Sequence, residues 1–291
     1  MTTGRLLGAC LALLALLPAC SPSGPPNSLL EAAGYRVKGD QAYYLNAFPG
    51  KAFEIDGADV PSFTVLDETY ATDKTTVYLD GRPLVGADPS TFELLDRPGF
   101  SKDRTKVYQR DRVLSDDPAH FELLDGELSK DSRSVYWSDG RVLSDDPEHF
   151  AIISNVDYYL FTQDAQTVHV NGNPIAGADP ATFRVIRGAY SQDGSVVYYF
   201  TDGIADVDAA SFQVVEGSFA KDDRNVYWMG KPIPDADPAT FRVLNANFEC
   251  TTDDRHAFYR QTVIAGADPS TFPPGRAATN CSDTSISFAE R

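Results

Sequence analysis

The chain has 291 residues, enough for one large domain or two small ones, and carries 25 Lys+Arg against 42 Asp+Glu, a net charge of −17. That balance excludes nucleic acid as a partner, because phosphate binding needs clustered Lys and Arg. A hydrophobic content of 42% supplies a core and excludes wholesale disorder. The acids are 32 Asp and only 10 Glu. Asp favours turns and caps where Glu favours helices, so the composition points to strands and turns.

Residues 1–19 hold one basic residue, Arg5, and an apolar stretch from Leu6 to Leu17. The stretch is too short to span a bilayer and reads as a secretory signal peptide. Its end, Leu17-Pro18-Ala19-Cys20, resembles the bacterial lipobox, in which the Cys thiol takes a diacylglycerol and becomes the new N-terminus. Pro18 departs from the small residue usual at that place. Residues 20–27 follow as a lipidated tether rich in Pro, Ser and Gly, which cannot form helix or strand. Ser21 after the Cys resembles an outer-membrane sorting signal in hosts that have such a membrane. The expected location is therefore exported and lipid-anchored, with the membrane as the first partner. Two cysteines remain after Cys10 and Cys20, and in an exported protein Cys250 and Cys281 are most simply a disulfide. It would close a loop of about 30 residues and contribute about 3 kcal/mol.

From residue 28 to 272 the chain is a repeat. Asp-Pro-x-(Ser/Thr/His)-Phe recurs from Asp88, Asp117, Asp146, Asp179, Asp237 and Asp268, and variants without Pro directly after Asp begin at Asp59 and Asp208. The closing Phe residues, 63, 92, 121, 150, 183, 212, 241 and 272, are spaced by 29, 29, 29, 33, 29, 29 and 31. Asp at these eight positions can cap the free N–H groups of a short helical turn, and Pro suits the first position, where no N–H is needed. Phe then points into the core and leads an apolar strand.

A second pattern, Asp-x-x-x-Val-Tyr, interleaves from Asp73, Asp103, Asp131, Asp193 and Asp222, with weaker copies from Asp164 and Asp253. It reads as a turn entering a second strand. That strand ends at Asp80-Gly81, Asp139-Gly140, Asn171-Gly172, Asp202-Gly203 or Met229-Gly230, signals for a type I′ hairpin. A brief third strand returns to the next Asp-Pro. The expected fold is all-β: eight repeats of about 29 residues, each with about three short strands and a helical turn. An open curved stack is favoured and a propeller-like ring is the alternative. The first repeat is the most divergent, and residues 273–291 read as a C-terminal tail without a repeat element.

The Asp-Lys/Arg-x-x-Val-Tyr core, best seen from Asp73 to Tyr78 and from Asp222 to Tyr227, resembles the repeats of the DKNYY family of bacterial proteins. The resemblance covers almost the whole mature chain and implies an exported or surface-associated repeat protein. It carries no catalytic residues.

The repeat admits three chemical readings. The Asp ladder caps turns, with calcium as the alternative, but calcium needs six to eight converging oxygens and no EF-hand loop is present. His120 and His149 share one site in adjacent repeats, where Ser or Thr otherwise stands, so hydrogen bonding explains them better than a metal. Tyr136-Trp137, Tyr198-Tyr199 and Tyr227-Trp228 put neighbouring rings on opposite faces, one in the core and one available to a protein or glycan partner. No nucleophile elbow, zinc helix motif, phosphate loop or dinucleotide fingerprint appears, so no cofactor is expected. The expected function is a non-enzymatic envelope lipoprotein whose repeats present a binding or scaffold surface. The alternatives are an envelope assembly factor for a basic partner and, less favoured, a hydrolase with an unrecognised site.

Overall fold

A computed structural model describes residues 25–26 and 31–289. The lipidation site Cys20 lies outside these residues. Among them there is no α-helix; the chain forms small antiparallel sheets and two single-turn 3-10 segments, Val60–Ser62 and Pro269–Thr271. Contacts divide it into two compact units, one ending at Pro118 and the other beginning at Ala119. The first unit holds sheets 1–3 and the second holds sheets 4–9, numbered in chain order.

Sheet 2 shows the common plan. Its strands, Thr64–Val65, Tyr70–Thr72, Val77–Leu79 and Arg82–Pro83, lie in sequence order as a meander. Sheets 3 to 8 repeat it over residues 93–115, 122–144, 151–174, 183–203, 213–232 and 242–263. Each repeat therefore has four strands rather than about three. The Asp-x-x-x-Val-Tyr motif does not lead into one strand. It closes a hairpin between two, and the Asp73 N–H donates to Thr76 O at 2.9 Å across its mouth. In most repeats the extra strand begins at the residue three places before the Asp, such as Tyr70 or Phe219, and is too short to announce itself by alternation. Most Asp-Pro elements are single turns rather than helical ones; in one, the Thr91 N–H donates to Asp88 O.

Sheet 1 has three strands, Gly34–Lys38, Gln41–Leu45 and Ala52–Glu54. Residues 46–51 form the loop between the last two. The repeat is expected from residue 28, and residues 28–30 lie outside the described residues. The C-terminal tail is also a sheet: sheet 9 is a hairpin of Ala278–Ser282 and Ser285–Phe288.

Within each unit the core lies between successive sheets, as an open array requires. Tyr70, Val77, Leu79 and Leu84 of sheet 2 pack with Tyr108 of sheet 3. Phe219, Val226 and Ile233 of sheet 7 pack with Phe258 of sheet 8. The periodic Phe joins them. Phe63 lies between the rings of Tyr35 and Tyr78, at 5.9 and 5.6 Å, and Phe212 between Tyr190 and Tyr227, at 5.5 and 6.0 Å. In each triad one outer ring belongs to the preceding sheet, so the 29-residue spacing is the spacing of inter-sheet aromatic contacts, each worth about 1 kcal/mol beyond area burial.

The hairpin glycines serve the same interface. Asp80-Gly81, Asn171-Gly172 and Met229-Gly230 all have positive φ at both residues, as a type I′ turn requires. A Cβ on Gly81 would lie 2.3 Å from Tyr44 Cβ, and one on Gly230 would lie 2.5 Å from Tyr199 Cβ. Only glycine lets the hairpin close onto the preceding sheet. Two of the expected turns shift. Asp202–Gly203 is itself the short fourth strand of sheet 6, and the turn falls before it, with Phe200 at φ 56°. At Asp139-Gly140 only the glycine has positive φ, and the Gly140 N–H donates to Trp137 O.

Candidate functional site

The most regular polar feature is a carboxylate that heads the second hairpin, buried in every repeated sheet but sheet 6, where Asp193 is half-buried and accepts the Asp179 N–H at 2.8 Å. Asp73, Asp103, Asp131, Asp164, Asp222 and Asp253 are all buried. In Asp222, Oδ1 accepts from the Arg224 and Asn225 N–H groups at 2.7 and 2.6 Å. Oδ2 accepts from the Tyr227 hydroxyl at 2.7 Å and from the Asp208 N–H at 2.8 Å. Asp73 is held in the same way by Thr75, Thr76, Tyr78 and the Asp59 N–H. One side chain thus closes its own turn, anchors the core tyrosine and ties down the Asp-Pro loop some fifteen residues earlier. The spacing of Asp and Tyr by five residues is the sequence trace of this network.

Burial alone would raise these carboxyls, but the donors outweigh it. The Asp59 N–H, the Tyr78 hydroxyl and the Thr75 amide and hydroxyl bring Asp73 down to about 2. The same balance lowers Asp103, Asp222 and Asp253. Burial, then the hydrogen bond to the carboxylate, pushes Tyr78 and Tyr227 up to about 12. Each pair is therefore a fixed carboxylate and phenol across neutral pH. Sheets 5 and 8 vary the design. Asp164 takes the Ser144 hydroxyl at 2.6 Å while His169 fills the tyrosine position, and Phe258 fills it beside Asp253. Tyr227→Phe removes one charge-assisted bond and leaves three. We expect a loss of about 2 kcal/mol, read by urea denaturation; no change would mean that the hydroxyl adds nothing to the turn.

The eight Asp-Pro aspartates each lie in a loop between one sheet and the next. Side chains of Asp88, Asp146, Asp179, Asp208, Asp237 and Asp268 accept a backbone N–H two or three residues on, at 2.9 to 3.3 Å. Asp59 makes no such bond; its carboxylate meets the Ser62 hydroxyl and, at 2.7 Å, the Lys74 ammonium. The Asp117 N–H donates to Ser115 Oγ at 3.0 Å. The residue before the Phe joins the two motifs: Ser62, Thr91, Ser211 and Thr240 accept the N–H of the residue after the buried Asp. His149 uses that site differently, bonding through Nδ1 to Asp146 at 2.8 Å, a contact that raises its pKa. Among the described residues no three His, Cys, Asp or Glu side chains converge as metal ligands.

The second aromatic of each pair is half-buried rather than open. Trp137 lies under the Arg141 guanidinium and against Gly172 of the next sheet, and Trp228 lies 5.4 Å from Arg260 of sheet 8. Following hairpins cover these rings. Cys250 and Cys281 form a disulfide with a Cα separation of 5.7 Å, joining sheet 8 to sheet 9. Sequence reasoning placed Asp73 and its counterparts in turns and missed that they are buried hubs.

No curated protein matches the chain, and no solved structure matches it. A family model described as the DKNYY family matches residues 70–202 and 200–262. Those ranges take in sheets 2 to 8 apart from the opening strand Thr64–Val65 and the last residue of the closing one, and they carry both the buried aspartates and their tyrosines. With more than half of its length matched on the residues that build its repeat, the chain belongs to the DKNYY family.

Proposed function

We propose that the protein is a non-enzymatic, lipid-anchored envelope protein whose repeated sheets present a binding surface. The observation that carries this is the order of its parts: an apolar leader ending in Leu17-Pro18-Ala19-Cys20, a short Pro-rich tether, then the repeats. The repeated acids add support. They are occupied by backbone amides and tyrosine hydroxyls, and a row of similarly placed carboxylates is a poor general acid and base, which need two different environments. The net charge of −17 favours one variant, an assembly role with a basic partner, whose capture from solubilised envelope would fall as salt rises.

Cys20→Ala tests the anchor. The unacylated variant is expected to leave the membrane fraction and to incorporate no labelled fatty acid. If it fractionates with membranes as the wild type does, before and after a high-salt wash, the anchor reading is wrong.

A further inference from the structure

Two adjoining cavities open beside the C-terminal end of the array. The first, about 410 Å³, is lined by the strand residues Arg242, Val243 and Leu244 and by the segment 272–277 that leads into sheet 9. The second, about 480 Å³, is lined chiefly by Asn245, Phe248, Arg276 and Ala278. They share Arg276 and Ala277 and adjoin along the strand Arg242–Asn245, three of whose residues line the first and one the second, so they are treated as one elongated groove. Each is of the size of a ligand site.

The charge of the groove runs against that of the molecule. In a chain of net charge −17, the lining holds two guanidinium groups and, among the described residues, no carboxylate. Arg242 is exposed, and its side chain makes no hydrogen bond or ion pair among the described residues. Arg276 donates from Nη1 to Ala289 O at 2.9 Å, and no carboxylate among the described residues pairs with it. The walls between them are apolar: Val243, Leu244, Phe272, Pro273 and Pro274, with Phe248 exposed at the far end. One side of the groove is Arg242–Asn245, an edge strand of sheet 8.

The same place between sheets 5 and 6 shows what a compensated version looks like. That cavity, about 490 Å³, also has two arginines, Arg184 and Arg187. There, however, Arg184 donates to Gln192 Oε1, and Asp157 is part of the lining.

We propose that the groove between Arg242 and Arg276 binds an extended acidic peptide segment of a partner protein. An elongated, open groove suits a chain rather than a compact molecule, and an edge strand is the usual template for one. Guanidinium groups take carboxylates in a bidentate fork, and the apolar walls take alternate side chains. This deepens the reading of the repeats as a binding surface but does not depend on the lipid anchor.

The test is fluorescence anisotropy on the detergent-solubilised full chain. The probe is a fluorescein-labelled pentapeptide alternating glutamate with valine and phenylalanine; its counterpart has lysine for glutamate. The acidic probe is expected to bind at least tenfold more tightly than the basic one. Arg242→Gln with Arg276→Gln is expected to weaken it at least tenfold, Arg242→Lys with Arg276→Lys to restore part of the affinity, and Arg184→Gln with Arg187→Gln to change nothing. Equal binding of the two probes, or binding indifferent to the Arg242 and Arg276 substitutions, would overturn the proposal. Membrane release of Cys20→Ala would be unaffected by either outcome, so the two readings fail separately.

Discussion

Asp222→Ala is expected to destabilise the protein by about 4 kcal/mol, more than any other single substitution of a polar side chain in sheet 7. The change removes one acceptor group and orphans four donors at once: the Asp208, Arg224 and Asn225 amides and the Tyr227 hydroxyl. A buried donor left without a partner costs about 1–3 kcal/mol, and turn amides recover part of that from water. Tyr227 is buried and cannot. Asp223→Ala is the control. Its side chain is exposed, only its backbone N–H is bonded, to Ser211 Oγ, and a loss below about 0.5 kcal/mol is expected. Urea denaturation of the two variants side by side decides the matter, and equal losses would refute the hub.

The same carboxylates set the response to acid. Their folded pKa values lie below those of the unfolded chain, so their contribution is complete above about pH 4, the unfolded aspartate value, and is lost as pH falls through the folded values. For Asp73 that window runs down to about 2. Asp103, Asp164, Asp222 and Asp253 shift in the same direction, so the losses accumulate over one range of pH. Denaturation midpoints should hold steady from neutral pH to about 5 and then fall steeply. Asp222→Ala should show a shallower fall than the wild type, because one titrating hub is gone.

The period of this fold was legible because it is written in residues with few substitutes. Phe63, Phe92 and their counterparts recur because a ring must reach two sheets, and the hairpin glycines recur because a Cβ would strike the preceding sheet. The strand count was not legible. Strands such as Thr64–Val65 and Arg82–Pro83 span two residues, too few for alternation to show. The buried hubs were half legible. Asp with Tyr five residues on was visible as a pattern, but Asp is so common in turns that its burial could not be read from type. The groove at the end of the array was hidden for another reason. Arg242 and Arg276 are 34 positions apart, and only the folding of the tail into a hairpin brings them to one groove.

That hairpin rests on the disulfide, and removing it is expected to have the second largest effect. Residues 273–277 carry no strand, and two short strands alone are marginal in water. What holds sheet 9 is contact with sheet 8. Cys250 and Cys281 are buried together with Ala257, Ile264 and Ala278. Phe272 and Phe288 stack at 5.0 Å, and Asn245 Nδ2 donates to Ala278 O at 2.7 Å. The disulfide closes 31 residues of sequence, worth about 3 kcal/mol by chain entropy. In an array where each sheet leans on its neighbours, that loss falls first on the end. Cys250→Ser with Cys281→Ser should therefore speed hydrogen exchange over residues 245–289 and leave sheets 5 and 6 protected as before. A second variant, Cys250→Ala with Cys281→Ala, separates the lost link from the burial of a hydroxyl; both should loosen the same segment. Unchanged exchange in residues 245–289, or free thiols in the native protein, would show that sheet 9 holds its place without the bond.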